Sequence, residues 1–307
     1  MAHALTALLA VLLDHQLKEP PRWHPLVGFG WLVNRAEAVF YGPADCASWP
    51  RRLRGLLSLS LLLGGVVLPL WLGLRAMGAY AWLGEAVLLY LALGAASLGE
   101  HAAEIRAALQ AGDLERAREK VGRIVSRDTA AMDESAVARA GVESVLENGC
   151  DAVFGALFWF FVAGAPGAVA YRLANTLDAM WGYKSAHYLH FGWAAARLDD
   201  ALNWIPARLT ALTYALFGNA PQAWRCWREQ ARAWESPNAG PVMAAGAGAL
   251  SVQLGGAAMY HGQLEARPPL GAGAAPGERD IGRAVTLVRR GMWLWLAVAF
   301  IGGWALA

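Results

Sequence analysis

The longest apolar runs of the chain lie at 56–74 and 76–98. Each matches the roughly 20 residues that carry a helix across the hydrocarbon of a bilayer. Only Arg75 separates them, which predicts a tight transmembrane hairpin, with Glu85 its one acid. Residues 152–171 form a third run of spanning length, interrupted at Gly164–Gly167. That break predicts a bent or re-entrant helix, because irregular backbone is tolerated at membrane depth only where protein or a cavity surrounds it. Shorter or weaker stretches predict a retained, membrane-embedded helix at 2–13 and a segment at 201–217 interrupted by Pro206 and Arg208. An apolar helix follows at 242–260, and a C-terminal helix at about 287–306.

Between these runs the pattern turns polar. Residues 14–55 read as a connection, stiffened at 19–25 (EPPRWHP) by three prolines that prevent a continuous helix. Residues 100–150 are the most water-like part. AEIRAALQAGDLERAREKVGRIV predicts two amphipathic helices broken near Gly112–Asp113, with Asp113 capping the second. A further helix starts at Asp133 or Ser135 and runs through Glu147. Along it Arg139, Glu143, Glu147 and Asp151 recur every four residues and share a face if the helix persists. SPNAGP at 236–241 is a shaped turn, either an anion cradle or a plain loop before the next helix. Residues 262–283 read as a flexible connection.

Composition fits this pattern. The chain has 307 residues, 57% hydrophobic and only 16% charged, against about 25% charged in an ordinary soluble domain. Its mean hydropathy is +0.32. The fold class expected is all-α: a polytopic helical integral membrane protein with broken or re-entrant helices. Residues 1–307 form one membrane-embedded domain, with a cytoplasmic helical insertion at about 99–151. Lys and Arg crowd both connections flanking the first hairpin, which places these in the cytoplasm and Arg75 outside. A net charge of +2 gives no reason to expect nucleic acid. Cys46, Cys150 and Cys226 are far apart and suggest neither a disulfide framework nor a zinc site.

Candidate chemistry concentrates in 172–208, where Arg172, Asn175, Asp178, Lys184, His187, His190, Arg197, Asp199, Asp200, Asn203 and Arg208 lie between apolar segments. Polar groups near a bilayer are costly unless they pair, hydrate or bind a ligand. The acidic face of Glu143, Glu147 and Asp151 is either a solvated stripe or a place for a divalent cation. No GxxxxGK[ST], GxSxG or HExxH motif occurs, nor a strand-borne GxGxxG, so no familiar nucleotide loop, serine hydrolase or zinc protease is indicated. Carboxylates beside Arg and Lys suit phosphate-and-metal chemistry, and equally an anion transporter.

Five stretches in order then carry a resemblance over nearly the whole chain. They are LLLDHQLKEPPRWHPLVGFG, SRDTAAMDESAVARAGVESVLENGCDAVFGALFW, GAPGAVAYRLANTLDAMWGYK, FGWAAARLDDALNWIPARLTAL and SPNAGP. Together they resemble the adenosylcobinamide-phosphate synthase family of cobalamin biosynthesis, called CbiB or CobD. Lys18 stands where the family pattern has Gly.

The resemblance implies an ATP-dependent ligase that joins adenosylcobyric acid to an amino-alcohol phosphate through an acyl phosphate. ATP is the co-substrate and Mg²⁺ the cofactor. It implies catalytic roles for Asp178, Lys184, Asp199, Asp200 and Arg197. Substrate or nucleotide contacts fall to Asp14, Glu19, Arg22, His24, Arg127, Asp128, Asn175, Asn203, Arg208, Ser236 and Asn238. Metal contacts fall to Glu143, Glu147 and Asp151, with Asp178 or the Asp199–Asp200 pair as further candidates. The partners implied are the corrinoid, the amino-alcohol phosphate, the lipid bilayer and neighbouring corrinoid-pathway enzymes. The site implied faces the cytoplasm from the bacterial inner membrane. The alternatives are a transporter or binding protein for a phosphorylated or corrinoid ligand, and a non-catalytic scaffold like the distantly similar AmpE-type proteins.

Overall fold

Proline, glycine and short polar side chains set the ends of most helices. The computed structural model describes residues 1–20, 24–43, 46–260 and 262–305. In chain order the helices are α1 (Ala2–Leu17), α2 (Pro25–Phe40), α3 (Ser48–Ala76), α4 (Ala81–Ala92), α5 (Ala95–Gln110), α6 (Leu114–Gly122) and α7 (Glu134–Gly149). Then come α8 (Gly155–Trp181), α9 (Tyr188–Phe191), α10 (Trp193–Phe217), α11 (Ala220–Gln230), α12 (Ala239–Leu250) and α13 (Glu278–Ala305). Strands β1 (Gln253–Gly255), β2 (Ala258–Tyr260), β3 (Gln263–Glu265) and β4 (Pro269–Gly271) sit between α12 and α13. β1 pairs antiparallel with β4, and β2 with β3.

Four helical stretches among the described residues are long and apolar enough to cross a membrane: Ser48–Ala76, Gly78–Gln110, Glu134–Trp181 and Glu278–Ala305. The protein is thus an all-α polytopic membrane protein, as its apolar runs predict.

Several local expectations hold for visible reasons. Asp113 accepts the Arg116 N–H at 3.0 Å, and Asp133 the Ala136 N–H at 2.7 Å, so each caps its helix. The break in the third run falls at Ala163–Gly164, where Gly164 takes φ 66° and ψ −166°. Lys18 has φ 58°, a conformation that glycine adopts without strain.

Others need correction. The connection at 14–55 holds a whole helix, α2, begun by Pro25 and capped by the His24 ring, which accepts the Leu26 N–H at 3.3 Å. The apolar stretch 201–217 is the second half of α10, which runs through Pro206. The helix expected over 242–260 stops at Leu250, because Ser251 turns left-handed at φ 57° and Gly255 and Gly256 follow at φ 73° and 78°. The connection expected over 262–283 contains β3 and β4. The last helix begins at Glu278 rather than 287, with the Asp280 carboxylate accepting the Gly277 N–H at 2.9 Å.

The chain forms two compact units. Unit 1 comprises 1–94, 155–203 and 299–307; unit 2 comprises 95–154 and 204–298. In unit 1, α1 packs on α4, α4 on α8, and α3 on α9. Phe29, Val33, Leu59, Leu177, Trp181 and Phe191 form an apolar core there. Gly55 and Gly192 permit that packing: a Cβ on Gly55 would meet the Phe191 carbonyl, and one on Gly192 the Trp181 carbonyl. In unit 2, α11 packs on α12 and α5 on both α6 and α7, while α12 also carries β4.

Candidate functional site

In unit 1, α8 and α10 bring a set of polar side chains around Asp199. The Asn175 amide donates to Asp199 Oδ1 at 3.2 Å. The Asn203 amide donates to both Asp199 oxygens at 3.2 Å. Asn203 in turn accepts from the Tyr171 hydroxyl at 2.8 Å, and Asn175 from Arg172 at 3.3 Å. The spacing explains the grouping. Arg172 and Asn175 stand three apart on one helix, and Asp199 and Asn203 four apart on another, so each pair shares a face. Burial raises the Asp199 carboxyl above its usual range; the two amides oppose that rise, and the neighbouring Asp200 adds to it. Among the described residues Asp199 is therefore oriented by amides, with no guanidinium as its direct counter-ion.

Asp200 points elsewhere. Arg197 donates to it at 3.3 Å from an exposed position. Burial raises the Asp200 carboxyl, while Arg197 and Lys184 pull it down. Lys184 lies on the turn after α8, six residues beyond Asp178, whose carbonyl accepts the Gly182 N–H at 2.6 Å. Asp14 is buried at the end of α1, whereas Glu19 is exposed. Burial lowers the His24 pKa most; Glu19 opposes this and Arg172 reinforces it. Arg22 lies outside the described residues.

Unit 2 holds a second set. Glu143, 2% exposed, accepts from Arg127 at 2.6 Å and from Arg267 at 3.1 Å. It also accepts the Gly255 N–H at 2.7 Å. Asp128 accepts the Gly262 N–H at 2.7 Å, and its own N–H donates to the Met259 carbonyl. Asp128 thereby ties the segment before α7 to the strands, and Arg127 ties it to α7. Separately, Arg208 donates to Asn238 Oδ1 at 2.6 Å and to the Pro237 carbonyl at 3.0 Å, and stacks on Trp204. The Ser236 hydroxyl accepts the Ala239 N–H at 3.1 Å and caps α12. The SPNAGP turn is thus a helix cap with an arginine docked on it.

With that geometry in place, the chain can be set beside known proteins. The sequence model of the CobD/Cbib protein family matches residues 7–288. The chain belongs to the CobD/Cbib family. "Cobalamin biosynthesis protein CobD" of Chromobacterium violaceum is 62% identical over 301 residues, covering 97% of this chain and 96% of that one. The protein of the same name from Stutzerimonas stutzeri is 58% identical over 307 residues, covering 100% of both chains. That from Mycobacterium tuberculosis is 40% identical over 293 residues, covering 93% and 91%. No solved structure matches.

In this CobD/Cbib chain one expected arrangement is not assembled. Among the described residues no three His, Cys, Asp or Glu side chains stand where they could hold a metal ion together. Glu143, Glu147 and Asp151 are not gathered into such a three-ligand group, for two reasons. Glu143 is committed to two guanidiniums and a backbone N–H. The ladder of every-fourth residues also ends at Gly149, where Cys150–Phe154 forms a π-helical turn and changes the register before Asp151. A magnesium ion carried by a nucleotide needs only one or two carboxylates, because phosphates and water complete its shell. The hard oxygen donors of Asp199 and Asp200 suit such an ion.

Three residues of these networks escape a sequence reading. Arg267 lies in what looks like a flexible connection, yet meets Glu143 124 residues away. Tyr171 reads as an apolar helix residue. Glu37 reads as a lone acid in a loop, but accepts from the Trp181 indole at 3.0 Å, the His187 ring at 2.8 Å and the Tyr188 hydroxyl at 3.2 Å. Tyr41 stacks on His187 with centroids 4.1 Å apart. Glu37 and Tyr41 therefore fasten the turn that carries Lys184. The only advance signal was the run of aromatics at 181–191, whose indole and hydroxyl groups seek partners when buried.

Proposed function

We propose that the protein is the membrane-bound ligase of cobalamin biosynthesis that joins the carboxyl group of adenosylcobyric acid to the amine of an amino-alcohol phosphate, with consumption of ATP. The observation that carries this reading is family membership over residues 7–288, coupled to the hydrogen-bonded Asp199 set within its signature stretches.

A carboxylate resists attack by an amine because its oxygen is a poor leaving group. In the proposed first step a carboxylate oxygen of the corrinoid attacks the γ-phosphorus of ATP; the bond to the β-phosphate oxygen breaks and ADP leaves. The amine nitrogen then attacks the acyl carbon, the carbon–oxygen bond to phosphate breaks, and inorganic phosphate departs. One proton must leave the amine nitrogen during this step. Asp199, held by Asn175 and Asn203, and Asp200 are the carboxylates in unit 1 that suit proton acceptance or support of magnesium. When bound, magnesium neutralises charge on the phosphates. Lys184 and Arg197 are the cations suited to phosphate oxygens, and both bear on Asp200. Fixed amides and cations of this kind position charge without reorganisation.

The test uses purified protein in lipid nanodiscs with adenosylcobyric acid, aminopropanol phosphate and ATP. Formation of adenosylcobinamide phosphate and ADP in equal amounts is expected. Corrinoid binding or flux without an amide product would favour a transporter and sink the ligase reading.

A further inference from the structure

Arg172 is the cation of the unit 1 site whose charge is least answered. Its Nη1 donates to the neutral amide oxygen of Asn175 at 3.3 Å. Its Nε is enclosed by protein and donates to no described residue. Among the described residues no carboxylate stands within ion-pair distance of it, in contrast to Arg127, Arg197 and Arg267. The neighbouring His24 ring supplies no negative charge in either protonation state; burial chiefly, and Arg172 further, push it toward its neutral form, with Glu19 opposing. A guanidinium has five N–H donors and remains charged throughout the accessible pH range. A half-buried one whose side-chain hydrogen bond, among the described residues, goes to one neutral amide is an expensive arrangement unless an anion completes it.

Its direction is also set. Asn175 holds Nη1 while its own amide is held by Asp199, and Nε is packed in. The terminal edge around Nη2 is what remains to meet a ligand. That arrangement suits a tetrahedral oxyanion, which takes N–H donors from an arginine edge with both charge and direction.

We propose that Arg172 binds a phosphate oxyanion at the Asp199 site, through its terminal nitrogens. The proposal rests on the functional reading above for the identity of soluble phosphates, ATP or the amino-alcohol phosphate. The bilayer offers a second source of the same chemistry, an anionic phospholipid headgroup.

The test compares wild type, Arg172→Gln and Arg172→Lys in phosphatidylcholine nanodiscs, with thermal melts to establish that each variant is folded. Binding of ADP and of O-phosphoethanolamine is measured against adenosine and ethanolamine. Wild type is expected to prefer at least one phosphorylated compound by about tenfold or more, the scale of a charged hydrogen-bonded contact. Arg172→Gln loses that preference, and Arg172→Lys, which keeps the charge but not the planar edge, recovers part of it. A second arm replaces part of the phosphatidylcholine with phosphatidylglycerol. Retention of phosphatidylglycerol that depends on Arg172 supports the proposal and identifies the headgroup as the source. A folded Arg172→Gln protein that keeps full preference for the phosphorylated compounds and full phosphatidylglycerol retention overturns it.

The two readings fail separately. Arg172-dependent phosphate binding in a protein that makes no amide product leaves this site standing and removes the ligase reading. Amide formation by Arg172→Gln at the wild-type rate and KM, with phosphatidylglycerol retention also unchanged, removes Arg172 and leaves the ligase.

Discussion

Glu143 shows how much one side chain of unit 2 holds. It is almost fully buried and neutralises two arginines, one of them from the strand region. Glu143→Gln leaves both guanidiniums enclosed without a counter-charge. Removing one partner of a buried pair costs about 3–5 kcal/mol. A chemical or thermal unfolding transition in detergent is expected to shift by that order; an unchanged transition would show the network to be incidental. Asp199 makes a different case. Burial raises its folded-state pKa, so the folded chain holds this proton more tightly than the unfolded one. Stability therefore falls as pH rises from the ordinary carboxylate value through the raised one, and is level beyond. Asp199→Asn removes that slope. Unfolding curves for both proteins across mildly acidic pH check it: parallel pH dependences would contradict the assignment. The residue types of these sets were legible in the sequence, since charges beside apolar runs have few innocent explanations. Their partners were less so. Asn175, Asp199 and Asn203 come together through helical spacing on two helices, whereas Arg267 reaches Glu143 only because the chain folds back as strands.

At the scale of elements, α8 is governed by its break. Gly164 sits at φ 66° and ψ −166°, a conformation almost reserved for glycine. Space is not the obstacle: a Cβ there meets its nearest neighbours at 3.6 Å. Gly164→Ala is therefore expected to cost about 1–3 kcal/mol through backbone strain alone. A melting temperature equal to that of wild type would show that the helix can straighten freely. The α8–α9 turn depends on Glu37 instead. Glu37→Ala removes the acceptor of Trp181, His187 and Tyr188 together. Trypsin is expected to cut after Lys184 several-fold faster in that variant, as read by mass spectrometry; an equal rate would mean the turn is held by packing. The break was visible as Gly-Ala-Pro-Gly inside an apolar run. The helix α2 was not, because the prolines before it suggested a loop when one of them in fact begins the helix. β1 and β2 were hidden for the opposite reason: they continue an apolar stretch that only the left-handed Ser251 and the Gly255–Gly256 pair end, while β3 and β4 lie in a Pro- and Gly-rich stretch that reads as a loop.

At the scale of the molecule, hydropathy alone carried the fold class. Long apolar runs leave few alternatives, since a bilayer demands that every backbone polar group be satisfied within the segment. The boundaries were blurred because connecting helices such as α2 and α10 are amphipathic enough to read as loops or as weak spans. We propose an orientation from charge: with the basic connections around α3 and α4 in the cytoplasm, and the chain returned by the break in α8, 182–192 would face the same side. A cysteine introduced at Ser185, in an otherwise cysteine-free background, is expected to react with an impermeant maleimide in inside-out vesicles. Labelling in intact spheroplasts would reverse the orientation.

The π-helical turn at Cys150–Phe154 has a consequence for how the chain can change. One residue of α-helix turns about 100°, so one residue more or fewer in this turn changes the register in which its side chains follow Glu147. Removing one residue from it would restore regular winding and shift the buried Ala152, Val153 and Phe154 off their present faces together. Point substitutions alter these side chains one at a time, but the length of this turn sets them all. Its residue count, more than the identity of any residue in it, is what variation must preserve.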